Sequence, residues 1–294
     1  MQIVQIGFPM RSCGNTHFEN RESNMVYDRA KYLLTYIFEG RGIEKSNRYY
    51  QKLFQLNFNE GYIMYAKFIK RLLDFIMSVI ALIVLSPILL ILTIVGAFAM
   101  KGNPFFLQPR HGKKGKDGKE KIFKLIKLRT MSNAKDKDGN LLPDDQRLGK
   151  YGAWLRSTSL DELPELINIA LGSLSICGPR PFLVRDCVFM TEEQRRRHDV
   201  RPGLTGLAQV NGRNNITWEQ KIEFDLEYID KGITFIGDVK IILQTVGKVL
   251  KRSDTVREGT VSDMDFGDWL MMEGKVDRET YDAKQAEAKE ILRV

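Results

Sequence analysis

An uncharged apolar run with a proline near its middle is the dominant feature of this sequence. The 26 residues Phe75–Met100 carry no charged side chain, and Ser86-Pro87 lies close to their centre. A helix needs about 20 apolar residues to cross the hydrocarbon of a bilayer, so the run is long enough to span. Proline removes one helix hydrogen bond and clashes with the preceding turn, which predicts a kink or break at Pro87. Two half-length helices meeting at such a break would enter and leave the membrane on the same face.

Basic residues flank the run on both sides. Three precede it and seven follow it: Lys67, Lys70 and Arg71, then Lys101, Arg110, Lys113, Lys114, Lys116, Lys119 and Lys121. Lys and Arg beside membrane segments favour the cytoplasmic side, and one crossing satisfies that preference at only one end. A re-entrant hairpin satisfies it at both ends. A kinked spanning helix remains the alternative, because backbone groups freed by proline can find other partners in a membrane helix.

The charge balance and the cysteines narrow the class of protein. Lys and Arg exceed Asp and Glu by 45 − 37 = 8 among 294 residues, which suits an anionic membrane surface, a phosphorylated substrate or nucleic acid. The three cysteines (Cys13, Cys177 and Cys187) form no C-x-x-C pair, and the three histidines are scattered. This predicts neither a disulfide framework nor a zinc site, and it favours reduced cysteines facing the cytoplasm.

Periodicity predicts a mixed α/β protein that is mainly helical and has four segments. These are an N-terminal extension over 1–62, a membrane helix–break–helix over 63–101, a small cytoplasmic domain over 102–252 and a C-terminal extension over 253–294. The apolar spacing predicts helices at Val26–Phe38, Leu163–Leu171, Glu192–His198, Trp218–Tyr228, Val239–Leu250 and Arg278–Leu292. Alternation predicts a strand at Ile122–Arg129, and composition predicts loops at Pro109–Lys121, Lys135–Asp145 and Arg201–Asn215.

The predicted helix Val239–Leu250 is amphipathic, with Ile242, Val246 and Val249 on one face. Such a helix can lie in the membrane interface, which would make it an interfacial amphipathic helix of a monotopic protein. A helix that packs its apolar face on the domain core has the same pattern, so both interpretations stay open.

The segment Ser159–Leu166 contains two adjacent acids, Asp161 and Glu162, followed by Pro164. Ser159 with Glu162 matches a capping box, a common structural device. Proline prefers the first helical position, so the ordered helix can instead start later and leave both acids in the preceding turn. That end of a helix favours ionised carboxylates and binds phosphate well. An ionised Asp there could attack phosphorus, and the adjacent Glu could hold Mg²⁺.

Five arginines beside Gly or Pro turns accumulate around the two acids: Arg129, Arg156, Arg180, Arg201 and Arg213. The planar guanidinium fork matches phosphate oxygens, so the set predicts a pyrophosphate site. For any single arginine, a surface ion pair of small energetic value is the alternative. The membrane segment and the lack of a recognised nucleic-acid module argue against nucleic acid as the partner.

Two shorter matches to ligand-binding motifs fail on spacing. Gly112–Lys119 lacks the spacing of a phosphate-binding P-loop. Asp136–Gly139 resembles a calcium loop, but its glycine comes too early and Arg147 stands where the bidentate glutamate should be. Both are expected to be solvated turns.

Taken in order, the remaining motifs resemble one family, the bacterial sugar transferases that act as monotopic polyprenyl-phosphate phosphoglycosyl transferases. The resemblance covers about Lys70–Arg252, which corresponds to the family's small-type catalytic core, here with extensions at both ends. Its motifs are Lys70-Arg71 before Ser86-Pro87, Lys127–Met131, Leu155-Arg156, Ser159–Leu166, Gly178–Pro181, Arg201–Gly206 and Gln209–Asn214. The chain departs from the family at Ser173, where an acid is common, and at Leu128, where Phe is more usual.

The resemblance implies an enzyme on the cytoplasmic face of the bacterial inner membrane, with a broken helix that dips into one leaflet. Its partners would be a UDP-sugar and a membrane lipid, polyprenyl phosphate. The enzyme would transfer a sugar-1-phosphate to the lipid, release UMP and so start assembly of a lipid-linked glycan, as in exopolysaccharide or lipopolysaccharide biosynthesis.

The resemblance also implies roles for single residues. Asp161 would attack the β-phosphorus and form a phosphosugar ester, and Glu162 with Asp161 would bind Mg²⁺. Phosphates of the nucleotide sugar would be held by Lys127, Arg129, Arg156, Arg180, Arg201 and Arg213. Asp225 and Asp238 match supporting acids, and Lys70, Arg71, Ser86 and Pro87 form the re-entrant motif.

Alternatives of other classes remain beside the transferase. One is a catalytically inactive, membrane-anchored scaffold of the same fold, and another is a single-span protein with a soluble basic domain. A homo-oligomer formed through either extension is a further expectation. Asn211–Asn214 resembles members of the family that use N-acetylated amino or diamino sugars.

Overall fold

The computed structural model describes residues 64–212, 216–251 and 264–293, which form a mixed α/β fold that is mainly helical. The helices are α1 (Lys70–Ala99), α2 (Asp144–Arg147), α3 (Lys150–Thr158), α4 (Glu165–Leu171), α5 (Val184–Cys187), α6 (Leu207–Asn211), α7 (Trp218–Asp230), α8 (Phe235–Lys251), α9 (Phe266–Met272) and α10 (Arg278–Ile291). The strands are β1 (Phe105–Lys114), β2 (Glu120–Leu128), β3 (Ser175–Cys177) and β4 (Gly203–Thr205). The predicted helix Val26–Phe38 and the whole N-terminal extension over 1–62 lie outside the described residues.

The apolar run forms one continuous helix, which corrects the predicted break. A π-helical turn, Tyr65–Ile69, leads into α1, and α1 continues through Pro87 without a break in secondary structure. Proline cannot donate to the carbonyl of Ile83, four residues earlier. The Ser86 hydroxyl donates to that carbonyl instead, at 2.8 Å. Ser86 therefore supplies the hydrogen bond that Pro87 removes, and the helix persists.

Tyr65–Ala99 is long and apolar enough to cross a membrane by length and composition. One face of this helix nevertheless packs on the rest of the protein along its whole length. Leu82 and Leu85 pack on the cluster of Leu125 and Leu166, while Leu92 packs with Leu128 and Leu155. Near the C-terminal end, the Tyr151 hydroxyl donates to the Leu92 carbonyl at 2.8 Å. Large side chains on the other face are exposed, among them Phe75, Ile83, Val84, Leu90, Ile91 and Phe98.

A two-stranded antiparallel hairpin, β1–β2, lies beside α4 and replaces most of the loop predicted at Pro109–Lys121. Pro109 pairs opposite Lys124 within the hairpin. Proline is tolerated here because each strand of a two-stranded sheet has a free edge. The predicted strand Ile122–Arg129 is confirmed as the C-terminal part of β2, and only the Gly115–Lys119 turn keeps the predicted loop character.

A short parallel pair, β3–β4, joins the Gly178–Pro181 and Arg201–Gly206 motifs. The two backbones lie very close: a Cβ on Gly203 would sit 2.2 Å from the Gly178 nitrogen. Only glycine allows this approach. The predicted loops at Arg201–Asn215 therefore contain a strand and a short helix, α6, up to the undescribed residues 213–215.

In the amphipathic helix α8, Ile241 is buried and Ile242 is partly buried against the core, whereas Val246 and Val249 of the predicted apolar face are exposed, as are Ile236 and Leu243. Most of the predicted apolar face is therefore not packed on the domain core. The C-terminal helices α9 and α10 pack on α5, where Ala288 contacts Val184 and Val188. Residues 264–293 are therefore part of the same packed body as the domain that precedes them.

Candidate active site

The two adjacent acids lie in a sharp turn between α3 and α4. Helix α3 ends at Ser159, which has left-handed backbone geometry (φ 56°), and Asp161 and Glu162 follow in a 3₁₀ turn. Helix α4 begins only at Glu165, directly after Pro164. The Ser159 side chain makes no capping hydrogen bond, so the capping-box interpretation is wrong. A left-handed residue other than glycine costs backbone energy and often marks a functional site.

Glu162 is the carboxylate that the cations of the site neutralise. Its Oε1 accepts hydrogen bonds from Lys127 Nζ at 2.9 Å and from Arg180 Nη2 at 2.6 Å. Burial alone would raise the pKa of Glu162, but the positive charges of Arg180 and Lys127 outweigh burial and hold the pKa well below its ordinary value. Glu162 is therefore ionised at any physiological pH.

Asp161 has the opposite electrostatic environment. Burial, together with the negative charge of Glu162, raises the pKa of Asp161 to about 6, although Lys127, Arg156 and Arg180 act against the shift. Burial likewise raises the pKa of the neighbouring Glu165 carboxyl. Two adjacent carboxyls with pKa values displaced in opposite directions are typical of catalytic sites.

Both acids line a cleft of about 660 Å³ whose wall is rich in cations. Four of the predicted phosphate-binding residues line it: Lys127, Arg129, Arg156 and Arg180. Arg156 Nε donates to Thr130 Oγ1 at 3.0 Å, which orients the guanidinium beside the end of β2. This contact needs α3 close to the strand, and a Cβ on Gly152 would fall 1.8 Å from the Thr130 carbonyl oxygen. Such a cleft can bind a polyanion next to the two acids.

One of the predicted phosphate ligands, Arg201, is not brought to the cleft. Arg201 Nε donates to the Gly172 carbonyl at 3.1 Å, just after the C-terminus of α4, and Arg201 does not line the cleft. Arg71 donates to the Ile169 and Ala170 carbonyls of the same helix. The positive charges of Arg201 and Arg71 therefore stabilise the helix C-terminus, a favourable place for cations. Arg213 lies outside the described residues.

The predicted supporting acid Asp225 acts through an arginine that sequence reasoning missed. Arg197 is 1% exposed, forms an ion pair with Asp225 and stacks on the Phe182 ring, with 3.6 Å between the guanidinium carbon and the ring centroid. Arg197 Nη2 also donates to the Arg180 carbonyl at 2.6 Å. Asp225 therefore fixes Arg197, and Arg197 supports the turn that presents Arg180 to Glu162.

Asp238, the other predicted supporting acid, lies beside the N-terminal end of α1 and does not line the cleft. Its Oδ2 accepts from Lys70 Nζ at 2.6 Å and from the Tyr65 hydroxyl at 2.7 Å, and its Oδ1 accepts from the Tyr228 hydroxyl at 2.7 Å. Lys70 of the predicted membrane motif thus ties the start of α1 to α8 through Asp238.

Sequence reasoning also missed cleft residues in β1, in α5 and at the start of α7. Arg110, Asp186 and Trp218 line the cleft, and Arg110 Nη1 donates to the Pro181 carbonyl at 2.9 Å. No local pattern separates these side chains from surface residues, because strands and helices distant in sequence bring them to the cleft. Within the described residues, no group of three or more His, Cys, Asp or Glu side chains is arranged to hold a metal by itself.

Comparison with known proteins finds one family model, described as bacterial sugar transferase, that matches residues 65–252. The chain is 46% identical to the sugar transferase EpsL of Bacillus subtilis (strain 168) over 183 residues, which are 62% of this chain and 87% of EpsL. It is 32% identical to the exopolysaccharide production protein ExoY of Sinorhizobium fredii (strain NBRC 101917 / NGR234) over 197 residues, covering 61% of this chain and 84% of ExoY.

A third relative has a more specific name. The chain is 42% identical over 192 residues to the UDP-glucose:undecaprenyl-phosphate glucose-1-phosphate transferase of Klebsiella pneumoniae. The match covers 61% of this chain but only 39% of that protein. The chain thus spans less than half the length of this relative. The family match over residues 65–252 includes helix α1 and most of the residues that line the cleft.

Proposed function

Because the chain belongs to the bacterial sugar transferase family and is therefore a transferase, we propose that it transfers a sugar-1-phosphate from a UDP-sugar to polyprenyl phosphate and releases UMP. The observation that supports this most directly is Asp161, a half-buried carboxyl with its pKa raised to about 6, in a cleft lined by Lys127, Arg156 and Arg180. A carboxylate at a polycationic cleft can attack a phosphorus atom as a nucleophile. The relatives' names supply the class of donor and acceptor.

In the first half-reaction, an Asp161 carboxylate oxygen attacks the β-phosphorus of the UDP-sugar. The bond from that phosphorus to the bridging oxygen breaks, UMP leaves with the bridging oxygen, and a phosphosugar ester of Asp161 remains. Arg180 and Lys127 face the reacting phosphate, and their charges oppose the negative charge on the transferred group. Arg156 and Arg129 line the same cleft and are assigned to the nucleotide phosphates.

In the second half-reaction, a phosphate oxygen of the lipid attacks the same phosphorus. The ester bond to Asp161 breaks, the carboxylate is regenerated, and the product is a polyprenyl-diphosphate sugar. No net proton is required for either transfer. A two-step scheme also suits the two substrates, because one is water-soluble and the other is held in the membrane.

The adjacent carboxylates fit a role for Mg²⁺. Mg²⁺ is usually bound by one or two carboxylates together with substrate phosphates. Asp161 and Glu162 provide such a pair, and the rest of the ligands would come from the diphosphate. When bound, the ion would neutralise charge on the transferred phosphoryl group. Arg180 and Lys127 hold the Glu162 carboxylate ionised, so it is available in the form that a cation needs.

We also propose that α1 is re-entrant, through a kink at Pro87 that leaves the helix continuous, and that the cleft faces the cytoplasm. A 30-residue helix is about 45 Å long, more than the thickness of the hydrocarbon core. Contacts from Lys70 to Gly96 nevertheless connect both ends and the middle of α1 to the same domain. A helix lying against one domain on one side of the bilayer accounts for these contacts and for the basic residues at both ends.

Cysteine labelling tests the topology. Single cysteines introduced as Lys67→Cys and Lys101→Cys flank the helix at exposed positions. With a membrane-impermeant maleimide, both variants should stay unlabelled in intact cells and become labelled in inverted vesicles. Labelling of one position from outside the cell would show that α1 spans the membrane.

The transfer itself is tested by UMP release from purified protein with Mg²⁺ and a panel that includes UDP-glucose, UDP-galactose and UDP-N-acetylated sugars. Wild-type protein should release UMP, and Asp161→Asn should abolish release while leaving the fold intact. Asp145→Asn, at an exposed position, is the matched control. Normal turnover by Asp161→Asn would contradict the nucleophile, and a wild type inactive on every donor would favour the scaffold alternative.

A further inference from the structure

The C-terminal segment contributes to the cleft although the family match does not include it. The match ends at residue 252, yet Met264 and Asp265 line the cleft together with Asp161 and Glu162. A wall supplied from outside the shared domain is a place where members of one family can differ in substrate.

This wall, formed by Met264 and Asp265 together with Trp218, is anchored firmly to the domain. Phe266, the next residue, is 2% exposed and packs with Phe182 and Ile222. The Trp218 ring lies 5.1 Å from the Phe266 ring and 5.0 Å from the Phe182 ring, and Trp218 Nε1 donates to the Met264 carbonyl at 3.0 Å. The backbone of Met264 is therefore held in place, and its half-exposed side chain is presented at a fixed position.

Polar contacts also fix the wall. Arg185 pairs with Asp265 at 2.8 Å, and the Phe266 backbone N–H donates to the Asp186 carboxylate at 3.0 Å. Burial raises the pKa of Asp186 to about 6, so this carboxyl carries less charge than a surface aspartate at mildly acidic pH. The segment and the domain meet through specific hydrogen bonds as well as through apolar packing.

The chemistry of this wall differs from that of the phosphate-binding side. The phosphate side presents Lys127, Arg129, Arg156 and Arg180. Here three aspartates and an indole lie among three cations: Asp186, Asp225, Asp265 and Trp218, with Arg110, Arg185 and Lys221. Arg185 pairs with Asp265, and Lys221 Nζ lies 5.0 Å from the centre of the Trp218 ring, so charges of both signs line this side. Asp225 Oδ1 is buried and has no hydrogen-bond partner in the protein. Carboxylate oxygens accept hydrogen bonds from hydroxyl groups, and an indole face packs on C–H groups. These properties match a neutral, hydroxyl-bearing ring.

We propose that the wall formed by Trp218, Met264 and Asp265 contacts the glycosyl unit of the UDP-sugar and helps to select the donor. The inference rests on the proposed transfer reaction, because it takes the nucleotide sugar as the ligand of the cleft. Uracil also carries hydrogen-bonding groups on a flat ring, so the test must separate the sugar end of the donor from the uridine end.

Binding measurements on the full chain separate the two ends. Dissociation constants for several UDP-sugars and for UMP are measured in an Asp161→Asn background, in which no turnover depletes the donor. Met264→Ala and Asp265→Asn are combined with this background, and Trp218→Phe keeps the aromatic packing but loses the hydrogen bond to Met264. The matched controls are Met272→Ala and Asp268→Asn, which lie in the same segment but do not line the cleft.

The wall variants should change the ratio of dissociation constants between two UDP-sugars by about tenfold, the scale of one lost pocket contact, while UMP binding and the controls stay unchanged. Parallel weakening of UMP and all UDP-sugars would assign the wall to uridine and overturn the inference. Unchanged ratios in all three variants would overturn it as well. Failure of the transfer reaction would appear separately, as wild-type protein that binds UDP-sugars but releases no UMP.

Discussion

Two ion clusters in this protein, one buried and one at the cleft, are built from similar groups but are balanced differently. The anchor cluster consists of Tyr65, Lys70, Tyr228 and Asp238, and the catalytic cluster consists of Lys127, Asp161, Glu162, Glu165 and Arg180. In the anchor cluster, one carboxylate meets one ammonium group and two hydroxyl groups, and both of its oxygens accept hydrogen bonds. In the catalytic cluster, Lys127 pairs with both Glu162 and Glu165, and Arg180 also pairs with Glu162.

The difference shows which cluster serves the fold and which serves chemistry. A buried ion pair with all hydrogen bonds made holds elements together, and here it joins the start of α1 to α8. In the catalytic cluster, burial together with the negative charge of Glu162 raises the pKa of Asp161 to about 6, and burial also raises the pKa of Glu165, so both carboxyls are held away from their preferred ionised form. Proteins tolerate such unfavourable arrangements at functional sites, where a poised group is useful.

Asp238→Asn should produce the largest change in stability. The variant leaves Lys70 buried without its counter-charge, and breaking a buried pair in this way lowers the free energy of unfolding by about 3 kcal/mol. Thermal unfolding of the protein in detergent or nanodiscs measures the loss, and the UMP-release rate per folded molecule should be retained. An unchanged unfolding temperature would show that the anchor cluster does not hold α1 to the domain.

An exposed ion pair provides the matched control for the anchor cluster. Asp282 pairs with Arg278 on α10, where both side chains are more than half exposed. Exposed pairs of this kind contribute at most about 1 kcal/mol, so Asp282→Asn should leave the unfolding temperature nearly unchanged. A large effect of Asp282→Asn would mean that the assay does not distinguish burial from charge loss.

The sequence predicted the parts of this molecule that depend on local pattern. Helical spacing predicted α7, α8 and α10 to within a few residues at either end, except that α8 starts four residues earlier than predicted. The position of Pro164 predicted that both acids precede the ordered helix, as they do. These features depend on periodicity and proline geometry, which act over one or two turns of chain.

Other features depend on contacts between distant parts of the chain and were missed or misplaced. Arg197 is adjacent to other basic residues, a pattern typical of a solvated surface, but Asp225, 28 residues away, pairs with it in the core. Arg201 was assigned to phosphate because it precedes a Pro-Gly turn, yet it contacts the end of α4. The continuity of α1 depends on one side-chain hydrogen bond from Ser86, which propensity alone does not predict.

The pH dependence of the first half-reaction tests the catalytic side of the comparison. Only ionised Asp161 can attack, and its pKa of about 6 lies above the ordinary value, so ionisation is lost as the pH falls through 6. Single-turnover UMP release, measured without polyprenyl phosphate so that the lipid does not titrate, should therefore fall about tenfold per pH unit below that value.

Glu162→Gln removes the neighbouring negative charge that helps to raise the pKa of Asp161, so the acid limb should move to lower pH. The plateau rate should fall because a proposed Mg²⁺ ligand is lost. Glu165→Gln is the control, because Glu165 is not among the main causes of the shift. An acid limb that stays in place in Glu162→Gln would mean that the charge of Glu162 does not tune the proposed nucleophile.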